Sequence, residues 1–190
     1  MRLHRRSLGL LLAILPLRRL ALADPINDLM QMLARIPERR ASFTEEKTLA
    51  MLTRPLSATG QLFYRRPAHL EKITLEPQAE SLVVDGNRLA LTAPGGPPRV
   101  IDLDTEPAIR ALVDAIRGTL AGDLPALRRS YAVIMEGSVA NWRLTLTPTD
   151  ASVARLILRT TIEGAGTAIL VVQTTQANGD RTRMTIRPNP

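Results

Sequence analysis

From residue 41 onward, apolar and polar residues alternate in short runs, and this two-residue period constrains the fold more than any other feature. It is typical of β-strands, whose successive side chains point to opposite faces. Turn signals separate the runs; Asp85-Gly86-Asn87 is one, because Gly, Asn and Asp accept the positive φ of tight hairpins. We predict about eleven strands, at residues 42–51, 57–65, 69–76, 80–85, 88–93, 99–103, 132–137, 140–147, 152–162, 166–176 and 181–187.

Three segments have a helical period instead. Asp24 and Pro25 suit an N-cap and the first helical position, and the helix that they start ends before Pro37. A second helix is predicted from a Thr105 cap to Gly122, and a short third one follows Asp123. The apolar faces of the first two helices comprise Ile26, Leu29, Met30, Leu33 and Ile36, and Ile109, Leu112, Val113, Ile116 and Leu120.

The order of these elements predicts an α+β fold in one domain. One helix, six strands, a helical block and five strands follow each other with short turns, which favour antiparallel pairing. A sheet of this size tends to curl, and about three helices would then close an incomplete barrel. Two interiors remain open: a solid core, or a partly open apolar cavity with the helices as its lid.

The N-terminal segment has the three parts of a secretory signal. Arg2, Arg5 and Arg6 precede an apolar run at residues 8–17, and Ala21-Leu22-Ala23 is a small-x-small cleavage site. We predict a signal peptide at residues 1–23, cleaved after about Ala23, and an exported mature domain at residues 24–190. A membrane anchor is the alternative, but the run is about half of the roughly 20 residues that a spanning helix needs. The chain has no cysteine, so neither a disulfide nor acylation of an N-terminal cysteine is expected.

The formal charge of +7 suggests nucleic acid, but its distribution does not. Five of the 25 basic side chains and none of the 18 acidic ones lie in residues 1–23, which leaves 20 against 18 and a net charge of +2. The remaining arginines form isolated pairs such as Arg65-Arg66, without interleaved aromatic residues for base stacking. We therefore expect no nucleic-acid partner.

The sequence also contains few residues that could form a catalytic site. His69 is the only histidine after residue 23, and no nucleophile-elbow or phosphate-loop motif occurs. Glu45 and Glu46 would point to opposite faces of their strand, so they are a poor acid/base pair. We predict no enzyme activity, no metal site and no cofactor.

Five short motifs follow one another along the chain: Ala41-Ser42-Phe43-Thr44-Glu45, Gly60-x-Leu62, Arg66-Pro67, Glu80-Ser81-Leu82-Val83-Val84-Asp85-Gly86 and Trp142-x-Leu144-x-Leu146-x-Pro148. These motifs and their order resemble the LolA family of periplasmic lipoprotein carriers. The last of them resembles the aromatic-and-leucine strand of that family.

The resemblance implies an incomplete antiparallel barrel of eleven strands closed by helices, with a cavity for the acyl chains of a lipoprotein. It also implies a soluble monomer that takes cargo from an inner-membrane donor complex to an outer-membrane acceptor. Arg66 matches a family arginine that holds the empty carrier closed by hydrogen bonds to helix carbonyls. Lys72, where a bulky apolar residue is expected, and an aromatic content of 3% depart from the pattern.

We therefore expect a carrier with Arg66 as the latch of its lid. The cargo is an acylated lipoprotein or a related lipid; a glycolipid or polyene-type lipid is an alternative. A protein-interaction or sensory module with a filled core is a further alternative on the same fold. The predicted ligand-binding residues are Leu29, Leu33, Leu62, Tyr64, Ile109, Leu112, Val113 and Ile116.

Overall fold

A single antiparallel sheet of eleven strands forms the body of the protein, which confirms the predicted fold class. The computed structural model describes residues 24–189, so the signal peptide predicted at residues 1–23 lies outside the described residues. The strands are β1 (Glu38–Thr48), β2 (Leu56–Arg65), β3 (His69–Glu76), β4 (Glu80–Asp85), β5 (Arg88–Thr92), β6 (Arg99–Asp102), β7 (Tyr131–Ser138), β8 (Asn141–Pro148), β9 (Ile157–Ala165), β10 (Ala168–Gln176) and β11 (Arg181–Pro188).

The strand order follows from two runs of hairpins joined in the middle. β1 to β6 pair in sequence on one side, β7 to β11 pair in sequence on the other, and β1 pairs with β11. The edge strands are therefore β6 and β7, and the chain connects them through the helical block. This connection brings the helices back across one face of the sheet, which we call the inner face.

Four helices are present in residues 24–189, one more than predicted. They are α1 (Pro25–Ala34), α2 (Pro107–Ala121), α3 (Leu124–Ser130) and α4 (Ala151–Ala154). The first three correspond to the predicted ones. A 3-10 turn at Leu103–Thr105 precedes α2, so Thr105 does not cap that helix and Glu106 occupies the N-cap position instead.

The strand predicted at residues 152–162 was wrong in its first part, where α4 forms. Asp150 accepts hydrogen bonds from the backbone N–H groups of Ser152 and Val153, which starts a helical turn that local alternation does not reveal. β9 consequently begins at Ile157. The strand predicted from residue 42 begins earlier, at Glu38, because its pairing with β2 extends to Arg65.

The core lies between the helices and the inner face, in two clusters. The larger cluster packs α1, α2 and α3 on β7 to β10; its fully buried members include Leu29, Leu33, Leu144 and Leu146. The smaller cluster packs Val113 of α2 and residues around the 3-10 turn on β4 and β5. Leu70 of β3 contacts both clusters, so the two clusters meet at this strand. No helix within residues 24–189 is long and apolar enough to cross a membrane.

The start of α3 offers a test of the local fold. The Asp123 carboxylate accepts a hydrogen bond of 2.8 Å from the backbone N–H of Ala126, one of the N–H groups that a helix leaves without internal partners. We expect Asp123→Ala to lower the free energy of unfolding by about 1 kcal/mol, measured by urea denaturation. Asp123→Asn is the matched control, because it keeps an acceptor at the cap and should stay near wild type. Equal losses in the two variants would contradict a capping role.

Candidate functional site

The interface between the helices and the inner face is the candidate site, and we call α1 and α2 together the lid. Leu29 and Leu33 of α1 are completely buried, and Tyr64 of β2 is 2% exposed in the same cluster. Ile116 of α2 is half-buried and packs against that cluster. The structure thus brings four of the predicted ligand-binding residues together where the lid packs on the sheet.

The other predicted residues divide between separate places. Ile109 and Val113 belong to the smaller cluster, on the β4–β5 side of the sheet. Leu112 and Leu62 are half-buried and lie outside both clusters. Leu62 is opposite Lys72 in the register of β2 with β3, so its neighbourhood on the inner face is partly polar.

Arg66 lies at the rim of the sheet, directly after β2. Its guanidinium donates a hydrogen bond to the carbonyl oxygen of Ala34, the last residue of α1, and its backbone N–H donates to Pro37 O at 2.9 Å. Helix C-termini leave carbonyl groups without internal partners, so a cation there is doubly favourable. The structure therefore places Arg66 where it can hold the end of the lid to the sheet.

Arg117, which the sequence interpretation missed, makes a second connection at the same rim. It projects from α2, and its guanidinium donates to Ala68 O at 3.0 Å and to Gly86 O at 2.6 Å. These two carbonyls belong to the β2–β3 and β4–β5 turns. The sequence contains only a weak signal for this connection. Arg117 is a cation beside the apolar face of α2, and its two carbonyl partners lie in turns much earlier in the chain.

A buried tyrosine ties α2 to the opposite side of the sheet. The Tyr131 hydroxyl, at the start of β7, donates to the carbonyl oxygen of Ala111 in α2. Burial raises the pKa of Tyr131, with a smaller contribution from the negative charge of Asp114, so the hydroxyl stays a donor at neutral pH. The lid is thus attached by a few directed hydrogen bonds around an otherwise apolar interface.

A charged pair interrupts the apolar inner face between β1 and β3. Lys72 Nζ lies 2.6 Å from Glu45 Oε2, and Lys47 Nζ lies 3.1 Å from Glu45 Oε1. The Lys72 ammonium also lies 5.0 Å from the centre of the Phe43 ring. Burial favours the neutral form of Glu45, but the hydrogen bond and charge of Lys72, together with Lys47, outweigh it and hold the pKa of Glu45 below its usual value.

Gly60 makes room for this pair. It lies on β2 between the two strands, and a Cβ there would meet Ile73 O at 1.9 Å and Phe43 Cε1 at 2.8 Å. The missing side chain lets Phe43 and Lys72 approach each other across β2. Gly60-x-Leu62 is one of the motifs that carry the family resemblance, and this packing explains why its first position is a glycine.

Two shallow depressions lie on the outer face of the sheet, away from the lid. Their volumes are about 260 and 240 Å³. Arg40, Phe63 and Glu71 line the first, and Thr44, Leu75 and Arg187 are among the residues that line the second. Residues 24–189 contain no group of three or more His, Asp or Glu side chains placed to hold a metal ion.

Comparison with known proteins identifies the family. The family model of outer membrane lipoprotein carrier protein LolA-like proteins matches residues 21–187. The chain belongs to this family. Members of this family are carriers or binders rather than enzymes. No curated protein matches the sequence significantly.

Solved structures similar to this LolA-like chain are distant in sequence. A LolA superfamily protein from Nitrosomonas europaea is 11% identical, with a TM-score of 0.45, over 88% of this chain and 95% of that one. A chain of the MucA/MucB complex of Pseudomonas aeruginosa is 15% identical, with a TM-score of 0.46, over 86% of this chain and 56% of that one. Lipoprotein LppX of Mycobacterium tuberculosis is 10% identical, with a TM-score of 0.44, over 86% and 94%.

Proposed function

We propose that this LolA-like protein binds acyl chains of lipoproteins, or of related lipids, between its lid and the inner face of its sheet. It would act in the periplasm, as a monomer, after cleavage of the signal peptide at residues 1–23. The carrier domain would span residues 24–190, receive cargo from an inner-membrane donor complex and deliver it to an outer-membrane acceptor. Arg66 would be the latch that keeps the empty lid closed.

The observation that carries the proposal is the construction of the lid. Its contact with the sheet is largely apolar, with Leu29 and Leu33 completely buried, whereas its connections at the rim are hydrogen bonds from Arg66 and Arg117 to backbone carbonyls. The guanidinium donors and the carbonyl acceptors can both bond to water when the lid opens, so each connection contributes only about 1.5–3 kcal/mol. The lid is therefore fastened by contacts that are weak relative to its apolar area.

The burial of an acyl chain can offset the free energy that opening the lid requires. Each methylene that leaves water contributes about 0.8 kcal/mol, so a few carbons offset the loss of one rim connection. The aliphatic side chains that the lid and sheet bury against each other would contact the acyl chain in the same way. Because the balance is close, binding would be reversible, which suits a carrier that must release its cargo without a chemical energy source.

Binding can be tested with a fluorescent fatty-acyl probe and residues 24–190. We expect a dissociation constant in the micromolar range or below, with displacement by unlabelled acyl lipid. The chain has no cysteine, so spin labels can be placed at Gln31→Cys on α1 and Gln61→Cys on the outer face of β2. Both residues are exposed, and the distance between the labels should lengthen when the probe binds.

The matched control places both labels on the sheet, at Gln61→Cys and Thr147→Cys of β8, which are also exposed. This distance should not change with the probe, because the lid is not involved. Failure of the probe to bind at any salt concentration or pH would reject the carrier proposal. Binding without any change in the Gln31–Gln61 distance would reject the lid as the element that moves.

The packed core favours a second candidate, a protein-interaction or sensory module on the same fold. The larger cluster is continuous from α1 to β10, and both depressions described above lie on the outer face. In this case the lid is a fixed part of the core. The labelled Gln31–Gln61 pair would then keep one distance in the presence of any acyl ligand, which distinguishes the two candidates directly.

A further inference from the structure

Arg39 presents two buried hydrogen-bond donors that have no partner among the described residues. Its Nη1 donates to Thr167 O in the β9–β10 turn, whereas its Nε and Nη2 are buried and unpaired. Nε and Nη2 form one edge of the planar guanidinium, with two parallel N–H groups at the spacing of two oxygens of one anion. The unpaired edge therefore has the geometry that binds a carboxylate or a phosphate.

Tyr64 has a third unpaired donor, at the strand position paired with Arg39. It is the direct partner of Arg39 in the register of β1 with β2, it is 2% exposed, and its hydroxyl has no hydrogen-bond partner among residues 24–189. Burial raises the pKa of Tyr64 against the opposing charges of Arg66, Arg39 and Arg117, so its hydroxyl is protonated at neutral pH. Buried polar groups normally have partners, so these three donors on paired strand positions would be satisfied by an acceptor that binds between them.

The positive charge of Arg39 also has no close negative partner among the described residues. Within the described part of the chain, no carboxylate lies within 4.0 Å of the Arg39 guanidinium, and Tyr64 is the only group whose charge raises its pKa appreciably against the effect of burial. Arg66 and Arg117 add two more cations that act on Tyr64. Asp114 and Asp85 face Arg117 and partly balance that residue. Arg39 is half-buried, so an anion bound at its unpaired edge would supply the negative charge that no described carboxylate provides there.

We propose that Arg39 and Tyr64 form an oxyanion site that binds the carboxylate or phosphate headgroup of an acyl lipid at the rim of the lid. This inference rests on the proposed function, since it supplies the polar end of the ligand whose acyl chain lies beneath the lid. Tyr64 belongs to the same core cluster as Leu29 and Leu33, so a headgroup at its hydroxyl leaves the attached chain against those leucines. The rim hydrogen bonds of Arg66 and Arg117 lie at the same end of the sheet as the site.

Ligands with one chain length and different headgroups separate the two parts of this inference. Decanoate, decyl phosphate and 1-decanol share a ten-carbon chain, and inorganic phosphate has the anion without the chain. We expect residues 24–190 to bind the two anionic lipids about tenfold to hundredfold more tightly than 1-decanol, as measured by calorimetry. Inorganic phosphate alone should bind far more weakly than decyl phosphate.

Two variants test the residues. Arg39→Gln should bring the ratio of decanoate to 1-decanol affinity close to one, and Tyr64→Phe, which removes a single unpaired hydroxyl, should lower the ratio a few-fold. Arg40→Gln is the matched control, because Arg40 is the next residue on β1, is exposed on the outer face and contacts Glu38 and Phe63. It should leave the ratio unchanged. Folding of each variant is checked by the thermal transition followed through Trp142 fluorescence.

Each outcome decides a different point. Equal binding of 1-decanol and decanoate by the wild type overturns the oxyanion site and leaves the proposed function standing. Inorganic phosphate that binds as tightly as decyl phosphate, in an Arg39-dependent manner, overturns the lipid headgroup as the source of the anion. A preference for anions that survives in both Arg39→Gln and Tyr64→Phe overturns the assignment of these residues. Failure of all four ligands to bind overturns the inference together with the proposed function.

Discussion

Arg66→Leu is expected to bind a fluorescent acyl probe about tenfold more tightly than the wild type and to release it correspondingly more slowly. The closed lid competes with the acyl chain, and the hydrogen bond from Arg66 to Ala34 O stabilises only the closed lid. A charged donor on a backbone carbonyl contributes about 1.5–3 kcal/mol, and the exposed position of Arg66 favours the lower end of this range. Each 1.4 kcal/mol is a factor of ten in affinity.

Arg65→Leu is the control for this variant. Arg65 is exposed, and its guanidinium lies 6.0 Å from the Phe63 ring centre, so its removal changes the same net charge without touching the lid. Equilibrium titration gives the affinity, and dilution into excess acceptor vesicles gives the release rate. If Arg66→Leu binds and releases the probe as Arg65→Leu does, Arg66 is not a latch.

Arg117 makes the test sharper. Because it holds α2 by its bonds to Ala68 O and Gly86 O, whereas Arg66 holds α1, the two residues could act independently or on one motion. The free-energy effects of two independent sites add, and a departure from additivity shows that the sites are coupled. Comparing the double variant Arg66→Leu/Arg117→Leu with the sum of the two single variants therefore shows whether the two rim connections act independently.

Most of the sheet could be predicted because its signals are local. Hairpins such as Asp85-Gly86-Asn87 fix the ends of β4 and β5, and alternation fixes which side chains share a face. The same rule correctly separated Glu45, which is buried, from Glu46, which is exposed. α4 was missed because its start depends on hydrogen bonds from Ser152 and Val153 to the Asp150 side chain, and a four-residue helix is too short to show a period.

The polar groups of the site were harder to predict, because their partners are distant in sequence. Lys72 was recognised as unusual, but its partner Glu45 lies on β1, two strands away, and only the register of β1 to β3 brings them together. Arg39 had no distinguishing signal at all. Its guanidinium donates a hydrogen bond to the carbonyl oxygen of Thr167, which is 128 positions further along the chain. The family resemblance supplied a position for Arg66, which no local pattern would have separated from Arg65.

The Glu45–Lys72 pair shows how far this sheet departs from a purely apolar cavity. Glu45 is 3% exposed, so its charge depends on Lys72 and Lys47 for compensation. An apolar pair of similar volume would cost less to bury, since the attraction between buried charges often does not exceed the loss of their hydration. The pair lies beside Leu62 on the inner face, where it would limit how deeply an acyl chain can extend between β1 and β3.

Lys72→Met is accordingly expected to lower the free energy of unfolding by about 3 kcal/mol at pH 7, because Glu45 then remains buried with Lys47 as its only close cation. In the wild type, Lys72 holds the pKa of Glu45 below its usual value, so the stabilisation is present above the ordinary glutamate pKa and is lost as the pH falls through the folded-state pKa. In the variant, burial raises the pKa of Glu45 instead, and protonation relieves the unpaired charge. The difference between the two proteins should therefore shrink from pH 7 to pH 4, as measured by urea denaturation.

The double variant Glu45→Leu/Lys72→Met completes the test, because it replaces both charges with apolar side chains. We expect its stability to return to within about 1 kcal/mol of the wild type or to exceed it, with little dependence on pH between 4 and 7. Its acyl affinity should also rise, since the inner face between β1 and β3 becomes continuous with the aliphatic surface beneath the lid. A double variant as unstable as Lys72→Met would show that Phe43 and Gly60 need the lysine for packing rather than for charge. Unchanged acyl affinity in a stable double variant would place the acyl chain away from β1 and β3, on the part of the sheet that α1 covers.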